Sequence, residues 1–261
     1  MFGKSEDRED YQRTARPLAA MARDLPDGHA IPEHSHRRAQ LIYGTSGAIT
    51  VTTPEGTWVA PPQRAVWIPG GVRHAMRTSG PVPMRTVYVE PGARPHLPTS
   101  CTVVAVTPLL RELLLAATKI PIDYDPRGRD GLVMELLLDE FAPLAVVPLQ
   151  LPLPRDPALL QMCQRLMDEP ELAWTTADAA SHAHMSERTL ARRFVAEVGC
   201  TFGRWRQQAR LLAAIEMLAK GESVTRVSAQ LSYESPSAFT AMFRRSLGKP
   251  PSQYFNGLPA E

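Results

Sequence analysis

The feature that most restricts the fold is an internal repeat in the C-terminal part of the chain. When the sequence is shifted by 49 residues, similar residues fall opposite one another: Ala180 and Ala229, Ser186 and Ser235, Leu190 and Phe239, Phe194 and Phe243, Gly199 and Gly248, and Trp205 and Tyr254. One supersecondary unit therefore occurs twice, and this region must fold as two copies of that unit.

Each copy has the pattern of two helices joined by a tight turn. A shorter helical segment, at residues 176–182 and 224–231, precedes a helix that begins at a serine cap and carries an apolar residue at every fourth position. The cap and apolar residues are Ser186 with Leu190, Phe194 and Val198, and Ser235 with Phe239, Phe243 and Leu247. Pro236 takes the first helical position that proline prefers. This is the layout of a helix-turn-helix, whose second helix fits the major groove of DNA.

Basic residues are concentrated in the same region. The whole chain has 29 Lys and Arg against 27 Asp and Glu, and this net charge of +2 does not favour or exclude a polyanionic partner. From residue 186 to the end, however, there are eleven Lys and Arg against six acidic residues. This local excess favours contact with phosphates.

The region resembles the DNA-binding domain of the AraC family. The pattern Met185-Ser186-x-Arg188-x-Leu190-x-Arg192-x-Phe194, followed by Gly199, Trp205-Arg206 and Arg210-Leu211, is similar to the first half of that domain. Residues 221–254, GESVTRVSAQLSYESPSAFTAMFRRSLGKPPSQY, are similar to its C-terminal signature, with Ser232 where glycine is usual in the turn. The resemblance implies a transcriptional regulator that binds double-stranded DNA and has RNA polymerase as a further candidate partner.

The same resemblance implies a division of labour on the second helix of each unit. The expected base contacts are Arg188, Ala191, Arg192, Ser237, Thr240 and Ala241, and the expected phosphate contacts are Arg193, Arg244, Arg245 and Lys249. Arginine can pair with guanine in a bidentate manner, whereas phosphate contacts position the protein without reading sequence. A connecting helix over residues 205–219, about 22 Å long, would hold the two units in adjacent major grooves.

The N-terminal region has a different pattern. Residues 18–90 are rich in Gly, Pro, Thr and Val and contain short alternating runs such as 48–52 and 84–89, which predict a small β-barrel or sandwich. Helical spacing follows over residues 107–119 and 130–141. The proline-rich stretch APLAVVPLQLPLPRDP, residues 142–157, then disfavours regular structure and predicts a linker.

Two motifs in this region resemble those of cupin barrels, which serve as sensors in many AraC-type regulators. The first motif combines Gly28, His34-x-His36, Gln40 and Gly47 at the cupin spacing, with Gln where metal-binding cupins usually have Glu. The second is Pro69-x-Gly71-x-x-His74, with Thr78 where asparagine is common. We therefore expect an α+β protein of two domains: a cupin-like β-barrel with following helices at 1–142, a linker at 143–157, and an all-α domain with two helix-turn-helix units at 158–261.

The motif residues suggest a ligand site inside the barrel. Alternation along a strand sends His34 and His36 to one face, and a neighbouring strand can bring His74 and Gln40 beside them. Three imidazoles and an amide oxygen could hold a divalent transition metal. The alternatives are a polar lining for an organic effector or the remnant of a lost site, because the missing glutamate removes the only anionic ligand. Four aromatic residues on strand segments are candidates to line an effector pocket or to form ordinary core: Tyr43, Trp58, Trp67 and Tyr88.

The helices between barrel and linker are expected to form a homodimer, as the resemblance implies. The residues expected at this contact are Leu110, Leu114, Leu132 and Leu136. The alternative is that these helices pack on the barrel of their own chain.

Composition argues against several other classes of protein. Three scattered cysteines without C-x-x-C spacing fit a reducing cytoplasm. A charged N-terminus and the lack of an apolar run of about 18 residues predict a soluble protein with no membrane partner. Three functions remain: a regulator controlled by a small molecule or metal, a metal-dependent cupin enzyme fused to a DNA-binding domain, and an architectural DNA-binding protein. We favour the non-enzymatic regulator, since the cupin glutamate and any Ser-His-Asp or Cys-His arrangement are missing, and since an organised barrel argues against an architectural protein.

Overall fold

A computed structural model describes residues 7–95, 97–141 and 149–255 of the chain. The chain divides into two compact units, Met1–Thr53 with Trp58–Leu149, and Pro54–Thr57 with Gln150–Glu261. Within the described residues no helix is both long and apolar enough to span a membrane.

Two antiparallel sheets follow a short helix α1 (Arg8–Arg13). The strands are β1 (Leu18–Leu25), β2 (Ala30–His34), β3 (Ala39–Gly44), β4 (Ala48–Thr53), β5 (Gly56–Ala60), β6 (Arg64–Ile68), β7 (His74–Ser79), β8 (Val82–Val89), β9 (Thr102–Ala105) and β10 (Gln150–Pro152). The sheet orders are β1-β8-β3-β6-β9 and β10-β5-β4-β7-β2, a jelly-roll-like arrangement that confirms the expected β-rich domain. The β4–β5 turn and β10 are grouped with the second unit.

Two helices, α2 (Pro108–Ala117) and α3 (Arg129–Asp139), follow β9 and cover part of the core. Leu110, Leu114 and Leu137 are fully buried in one cluster with Leu41 and Trp67 of the first sheet. The prediction that Leu110 and Leu114 contact a second protomer was therefore wrong, because both side chains are already buried within their own chain. In contrast, the other two predicted contacts are exposed on α3, Leu132 at 68% and Leu136 at 46%.

One glycine of the first motif is required by a tight turn between β3 and β4. Gly47 has a φ of 68°, in the left-handed region that favours glycine. A Cβ at this position would lie 2.7 Å from both the carbonyl oxygen of Pro81 and Cγ2 of Val82. The motif glycine therefore serves the backbone of the barrel.

The second unit is helical, as expected. Its helices are α4 (Pro157–Asp168), α5 (Thr176–His182), α6 (Glu187–Val198), α7 (Phe202–Ala219), α8 (Val224–Gln230), α9 (Pro236–Leu247) and α10 (Pro251–Tyr254). The connecting helix α7 has 18 residues and begins earlier than predicted, because the Thr201 hydroxyl caps it by accepting the N–H of Arg204. At about 1.5 Å per residue it is roughly 27 Å long.

Part of the predicted linker is regular structure. Residues 142–148 lie outside the described residues, but 150–152 form β10, and α4 begins at Pro157 with Asp156 as its cap. The N–H of Leu153 donates to the carbonyl oxygen of Glu55, and the indole N–H of Trp205 donates to that of Pro152. These hydrogen bonds hold the described part of the stretch, despite its prolines.

Candidate DNA interface and barrel site

Both expected recognition helices begin at the predicted serine caps. In α6 the Ser186 hydroxyl accepts the N–H of Thr189 at 3.2 Å, and in α9 the Ser235 hydroxyl accepts that of Ala238 at 3.1 Å. Each helix ends at a left-handed glycine, Gly199 or Gly248. These caps satisfy backbone groups that the helix ends would otherwise leave unpaired.

The buried faces of α6 and α9 contain the residues of the predicted apolar stripes and one further residue. Leu190, Phe194, Val198, Phe239 and Phe243 are buried, and Leu247 is half-buried. Met242, which the every-fourth-residue pattern missed, is also buried. A helix buries positions three as well as four residues apart, and the aromatic stripe alone did not indicate this.

The two helix-turn-helix units are related by two different shifts, not by one. The caps of the first helices, Thr175 and Ser223, are 48 residues apart, whereas Ser186 and Ser235 are 49 apart. The pairing of Ala180 with Ala229 was therefore wrong, since Ala180 corresponds to Ser228. The turn of the second unit contains one extra residue, and both turns use a left-handed non-glycine residue, His184 and Ser232.

The opposite faces of α6 and α9 are open to solvent and carry the predicted base contacts. Arg188, Ala191 and Arg192 are exposed on α6. On α9, Ser237 and Ala241 are exposed and Thr240 is half-buried. The two helices therefore present a basic face and a small polar face to any partner.

All four predicted phosphate contacts are exposed, namely Arg193, Arg244, Arg245 and Lys249. Arg193 differs because its guanidinium lies 2.7 Å from the carboxylate of Asp156, the cap residue of α4. Glu197, one turn further along α6, accepts the backbone N–H groups of Arg155 and Asp156. Arg193 and Glu197 thus attach α6 to the beginning of α4, which gives Arg193 a structural role.

In the first unit the three motif histidines come together, as predicted. His34 and His74 lie opposite one another in the β2–β7 pairing, and His36 follows β2. One ligand atom from each of the three side chains lies within 4.8 Å of the others. Strand pairing therefore brings together residues that are 40 positions apart in sequence.

Backbone carbonyls orient all three imidazoles. Nδ1 of His34, His36 and His74 lies 2.8, 2.6 and 2.9 Å from the carbonyl oxygens of Pro32, Arg38 and Val72, respectively. A carbonyl oxygen only accepts, so each Nδ1 carries a proton, and in a neutral ring the Nε2 atom then presents a lone pair. This arrangement is typical of histidines that bind a metal through Nε2.

Gln40 places a second acceptor beside one of these nitrogens. Its Nε2 donates to the Thr86 hydroxyl, which donates in turn to the Leu41 carbonyl oxygen, so Gln40 Oε1 faces His36 Nε2 at 2.8 Å. Two acceptors at this distance repel each other unless His36 carries a second proton or both atoms share a cation. Neighbouring ligands of a metal ion are about 3 Å apart when each bond is about 2.1 Å. The four-residue set therefore fits a divalent metal.

A cavity of about 400 Å³ adjoins this cluster. Its polar lining residues are Asp7, Arg23, His29, His34, Gln40, His74 and Tyr88, and its apolar lining residues are Met21, Ala30, Ile31, Pro32, Ile42, Met76 and Met84. Methionine sulfur is polarisable and adapts to irregular apolar ligands. The cavity thus combines a soft apolar wall with imidazole and amide groups at one side.

The aromatic residues predicted to line an effector pocket were mostly misplaced. Tyr88 lines the cavity, but Tyr43, Trp58 and Trp67 do not. Tyr43 and Trp67 are buried in the cluster under α2 and α3, where the Trp67 indole N–H donates to the Pro98 carbonyl oxygen. Side chains on β3 alternate, so Gln40 and Ile42 face the cavity and Tyr43 faces the other core. Strand alternation counted from Gln40 would have placed Ile42 on the cavity face and Tyr43 on the opposite face.

Thr78, which replaces the asparagine common in the second motif, fastens the β1–β2 turn to β7. Its buried hydroxyl donates to the Pro26 carbonyl oxygen at 2.7 Å and accepts the N–H of His29 at 2.9 Å. His29, which lines the cavity, is therefore held by Thr78.

The segment before β1 contributes a wall that the sequence did not indicate. Asp7 lines the cavity, and the buried Tyr11 ring lies 6.0 Å from the Tyr88 ring. Burial raises the pKa of Tyr11 to about 12, so its hydroxyl stays neutral.

The buried Arg38 guanidinium donates to the carbonyl oxygens of Thr14 and Arg16. Burial lowers the pKa of Arg38, and the opposing effect of the neighbouring Glu90 is smaller.

Known families match most of the chain. The family described as AraC-like ligand binding domain matches residues 21–190, and the family described as Helix-turn-helix domain matches residues 179–257. The HTH-type transcriptional regulator NimR of Escherichia coli is 36% identical over 227 residues, which is 87% of this chain and 83% of that protein.

Other relatives match more narrowly. The HTH-type transcriptional regulator RipA of Corynebacterium diphtheriae is 32% identical over 101 residues, 39% of this chain and 30% of that protein. A crystal structure of ToxT from Vibrio cholerae is 10% identical, with a TM-score of 0.40 over 94% of this chain and 100% of that chain. On the two family matches and the similarity to NimR, the chain belongs to the AraC family, with an AraC-like ligand-binding domain and a DNA-binding helix-turn-helix domain.

Proposed function

We propose that this protein is a sequence-specific transcriptional regulator in which an effector bound in the barrel cavity controls DNA binding. The observation that carries the proposal is the pair of capped helices, α6 and α9, each with one buried face and one open face. Arg188 and Arg192 stand on the open face of α6, where guanine edges are the natural partners of guanidinium groups. Arg244, Arg245 and Lys249 would neutralise phosphates.

On the second recognition helix, Ser237, Thr240 and Ala241 are the proposed base contacts. Their side chains are short, so they offer one hydrogen bond or a methyl contact in place of a bidentate pair. We therefore assign most of the base discrimination to α6 and a supporting role to α9.

For the barrel we propose a divalent transition metal held by His34, His36, His74 and Gln40. The support is the orientation of the three imidazoles and the short contact between Gln40 Oε1 and His36 Nε2. The metal would offer a coordination position to a donor atom of an organic effector in the adjoining cavity. We propose binding and not catalysis for this site, because Gln40 stands where metal-binding cupins usually have Glu and the sequence shows no Ser-His-Asp or Cys-His arrangement.

The regulator is proposed to act as a homodimer through α2 and α3. Leu109, Leu132 and Leu136 are exposed large apolar residues on these two helices. Exposed apolar side chains grouped on neighbouring helices are suited to a protein interface. Contact with RNA polymerase is a further part of the proposal, and it follows from family membership alone.

The decisive experiment selects duplexes from a randomised DNA pool with the full-length protein and measures their affinity with and without bound metal. Elemental analysis of protein purified without a metal-affinity tag identifies the metal. We expect one two-part sequence to be enriched, and we expect chelation to change its affinity by about 5- to 150-fold. Failure to enrich any sequence would overturn the DNA-reading proposal. Clean absence of metal, with no uptake of zinc, nickel, iron or manganese, would overturn only the metal site.

A further inference from the structure

One large apolar side chain in the second unit is exposed on the surface of a recognition helix. Val195 of α6 is 45% exposed, and it is the only large hydrophobic residue with such exposure among the described residues of that unit. Valine is also a weaker helix former than alanine, because its branched side chain loses rotamer freedom in a helix. Neither complete burial nor helix formation therefore accounts for valine at this position.

Val195 lies near the centre of the open face of α6. At about 100° per residue it is only about 20° around the helix from Arg188, seven positions earlier. Arg188, Ala191 and Arg192, the proposed base contacts, surround the same direction, whereas Leu190 and Phe194 point into the core. Any surface that meets the two arginines must also meet Val195.

The charge around Val195 restricts what that surface can be. Arg188 and Arg192 stand on the same open face, so an uncharged apolar protein partner would leave two guanidinium groups without counter-charges. The major groove of DNA offers both chemistries together, since acceptor atoms of guanine lie beside the C5-methyl group of thymine. A thymine methyl is the one apolar group on the base edges of that groove.

We propose that Val195 is a specificity-determining residue that contacts the C5-methyl group of a thymine next to the bases read by Arg188 and Arg192. The inference rests on the proposed entry of α6 into the major groove. The corresponding residue of the second unit, 49 positions later, is Arg244. The two copies thus differ at this position, and the apolar contact belongs to the first half of the two-part site.

The experiment uses the full-length protein and the duplex enriched from the randomised pool. Each thymine in the enriched sequence is replaced singly by deoxyuridine, which lacks only the methyl group. The affinities of the wild type and Val195→Ala are measured for every duplex as a double-mutant cycle. Ala196→Ser is the matched control, because residue 196 is the exposed neighbour of Val195 but lies away from the centre of the open face.

We expect one or two deoxyuridine substitutions to weaken the wild type about fivefold, the effect of losing one methyl-sized apolar contact. Val195→Ala should bind the unmodified duplex about fivefold more weakly and should show no further loss with those same substitutions. Ala196→Ser should keep the full deoxyuridine effect. Thermal unfolding of Val195→Ala should match the wild type, which excludes loss of fold as the cause.

The possible failures are distinguishable. If deoxyuridine weakens Val195→Ala as much as the wild type, or if no thymine in an enriched site is sensitive to the substitution, the role of Val195 is overturned while base reading by α6 stands. If the wild type enriches no sequence at all, base reading by α6 is overturned, and the role of Val195 falls with it.

Discussion

The exposed arginines of the second unit differ in whether they lie on the face that a recognition helix presents to bases. Arg188 and Arg192 lie on that face of α6, and Arg245 lies near the end of α9. We predict that Arg188→Ala or Arg192→Ala weakens binding to the selected duplex by about 1–3 kcal/mol and relaxes discrimination at one base. Arg245→Ala should weaken all sequences similarly. Competition titrations against randomised DNA measure both effects, and equal losses for the two classes of variant would contradict the division.

Gln40 offers a test of the barrel site that is independent of DNA. Gln40→Glu replaces a neutral ligand oxygen with an anionic one in the same place, so divalent metal affinity should rise by about tenfold or more. Gln40→Leu removes the ligand atom and should lower the affinity. Calorimetric titration of chelator-treated protein with zinc and nickel measures both changes. Identical affinities in all three proteins would mean that Gln40 Oε1 does not contact the metal.

Individual residues show where sequence reasoning succeeded and where it stopped. Gln40 and the histidines were found because their spacing resembles the two cupin motifs and because alternation along a strand sends His34 and His36 to one face. The sequence left open whether Tyr43 and Trp67 line a pocket or form core, because aromatic character alone does not say which face of a strand a residue occupies. The ion pair of Arg193 with Asp156 could not be predicted, because Asp156 lies 37 positions earlier and no periodic pattern links the two.

The beginnings of α5, α6 and α9 were predictable because capping is a short-range interaction, whereas the cap of α7 at Thr201 was missed. Thr175 begins α5 in a capping box: its hydroxyl accepts the N–H of Asp178, and the Asp178 carboxylate accepts the N–H of Thr175. The turns were less predictable. The one-residue difference between the two turns shifts the pairing of the first helices, and chemical similarity between nearby alanines concealed it.

The capping box of α5 is expected to respond to pH. The hydroxyl and backbone N–H of Thr175 hold the pKa of Asp178 below its ordinary value. A lowered folded-state pKa stabilises the helix above the ordinary carboxyl range, near pH 4, and this contribution is lost as pH falls through the folded-state value. Asp178→Asn should therefore melt below the wild type at pH 7, and the gap should close in acid. A gap that stays constant across this range would exclude the carboxylate charge as the cause.

Ser232 explains how the second turn works without the usual glycine. Its φ of 57° is unfavourable for serine, but its hydroxyl donates to the Glu171 carbonyl oxygen at 2.9 Å. Ser232→Ala keeps the strain and loses the hydrogen bond, so the free energy of unfolding should fall by about 1 kcal/mol. Ser232→Gly loses both and should change it by less than about 0.5 kcal/mol. Denaturant titrations compare the three proteins, and a glycine variant less stable than the alanine variant would contradict this account.

For the whole molecule, the sequence predicted the two folds and their order but not the exposed surface of the first domain. An apolar spacing in α2 and α3 indicates that these helices have a buried face, and it cannot tell burial within a chain from burial between chains. Leu110 and Leu114 are buried within their own chain, whereas Leu132 and Leu136 are exposed. The distinction depends on α2 and α3 packing over the first sheet, a contact between segments far apart in sequence.

The open leucines lead to a prediction about assembly. Leu132 and Leu136 are one helical turn apart on α3, so Leu132→Glu with Leu136→Glu places two charges on the proposed dimer face. We expect this variant to sediment as a monomer and to melt like the wild type, since neither side chain contributes to the core. Leu110→Ala is the contrasting variant and should lower the free energy of unfolding by about 2–5 kcal/mol, because Leu110 is fully buried.

Dimer formation should then appear in DNA binding as effective concentration. A dimer that engages two copies of the selected site on one duplex gains affinity of about 100-fold without any new base contact, and a monomer cannot. The double glutamate variant should therefore lose that gain on a two-site duplex and keep wild-type affinity for a single site. Equal loss on both duplexes would show that the substitutions act on the DNA-binding domain itself. A variant that remains dimeric would place the protomer contact on a surface other than α3.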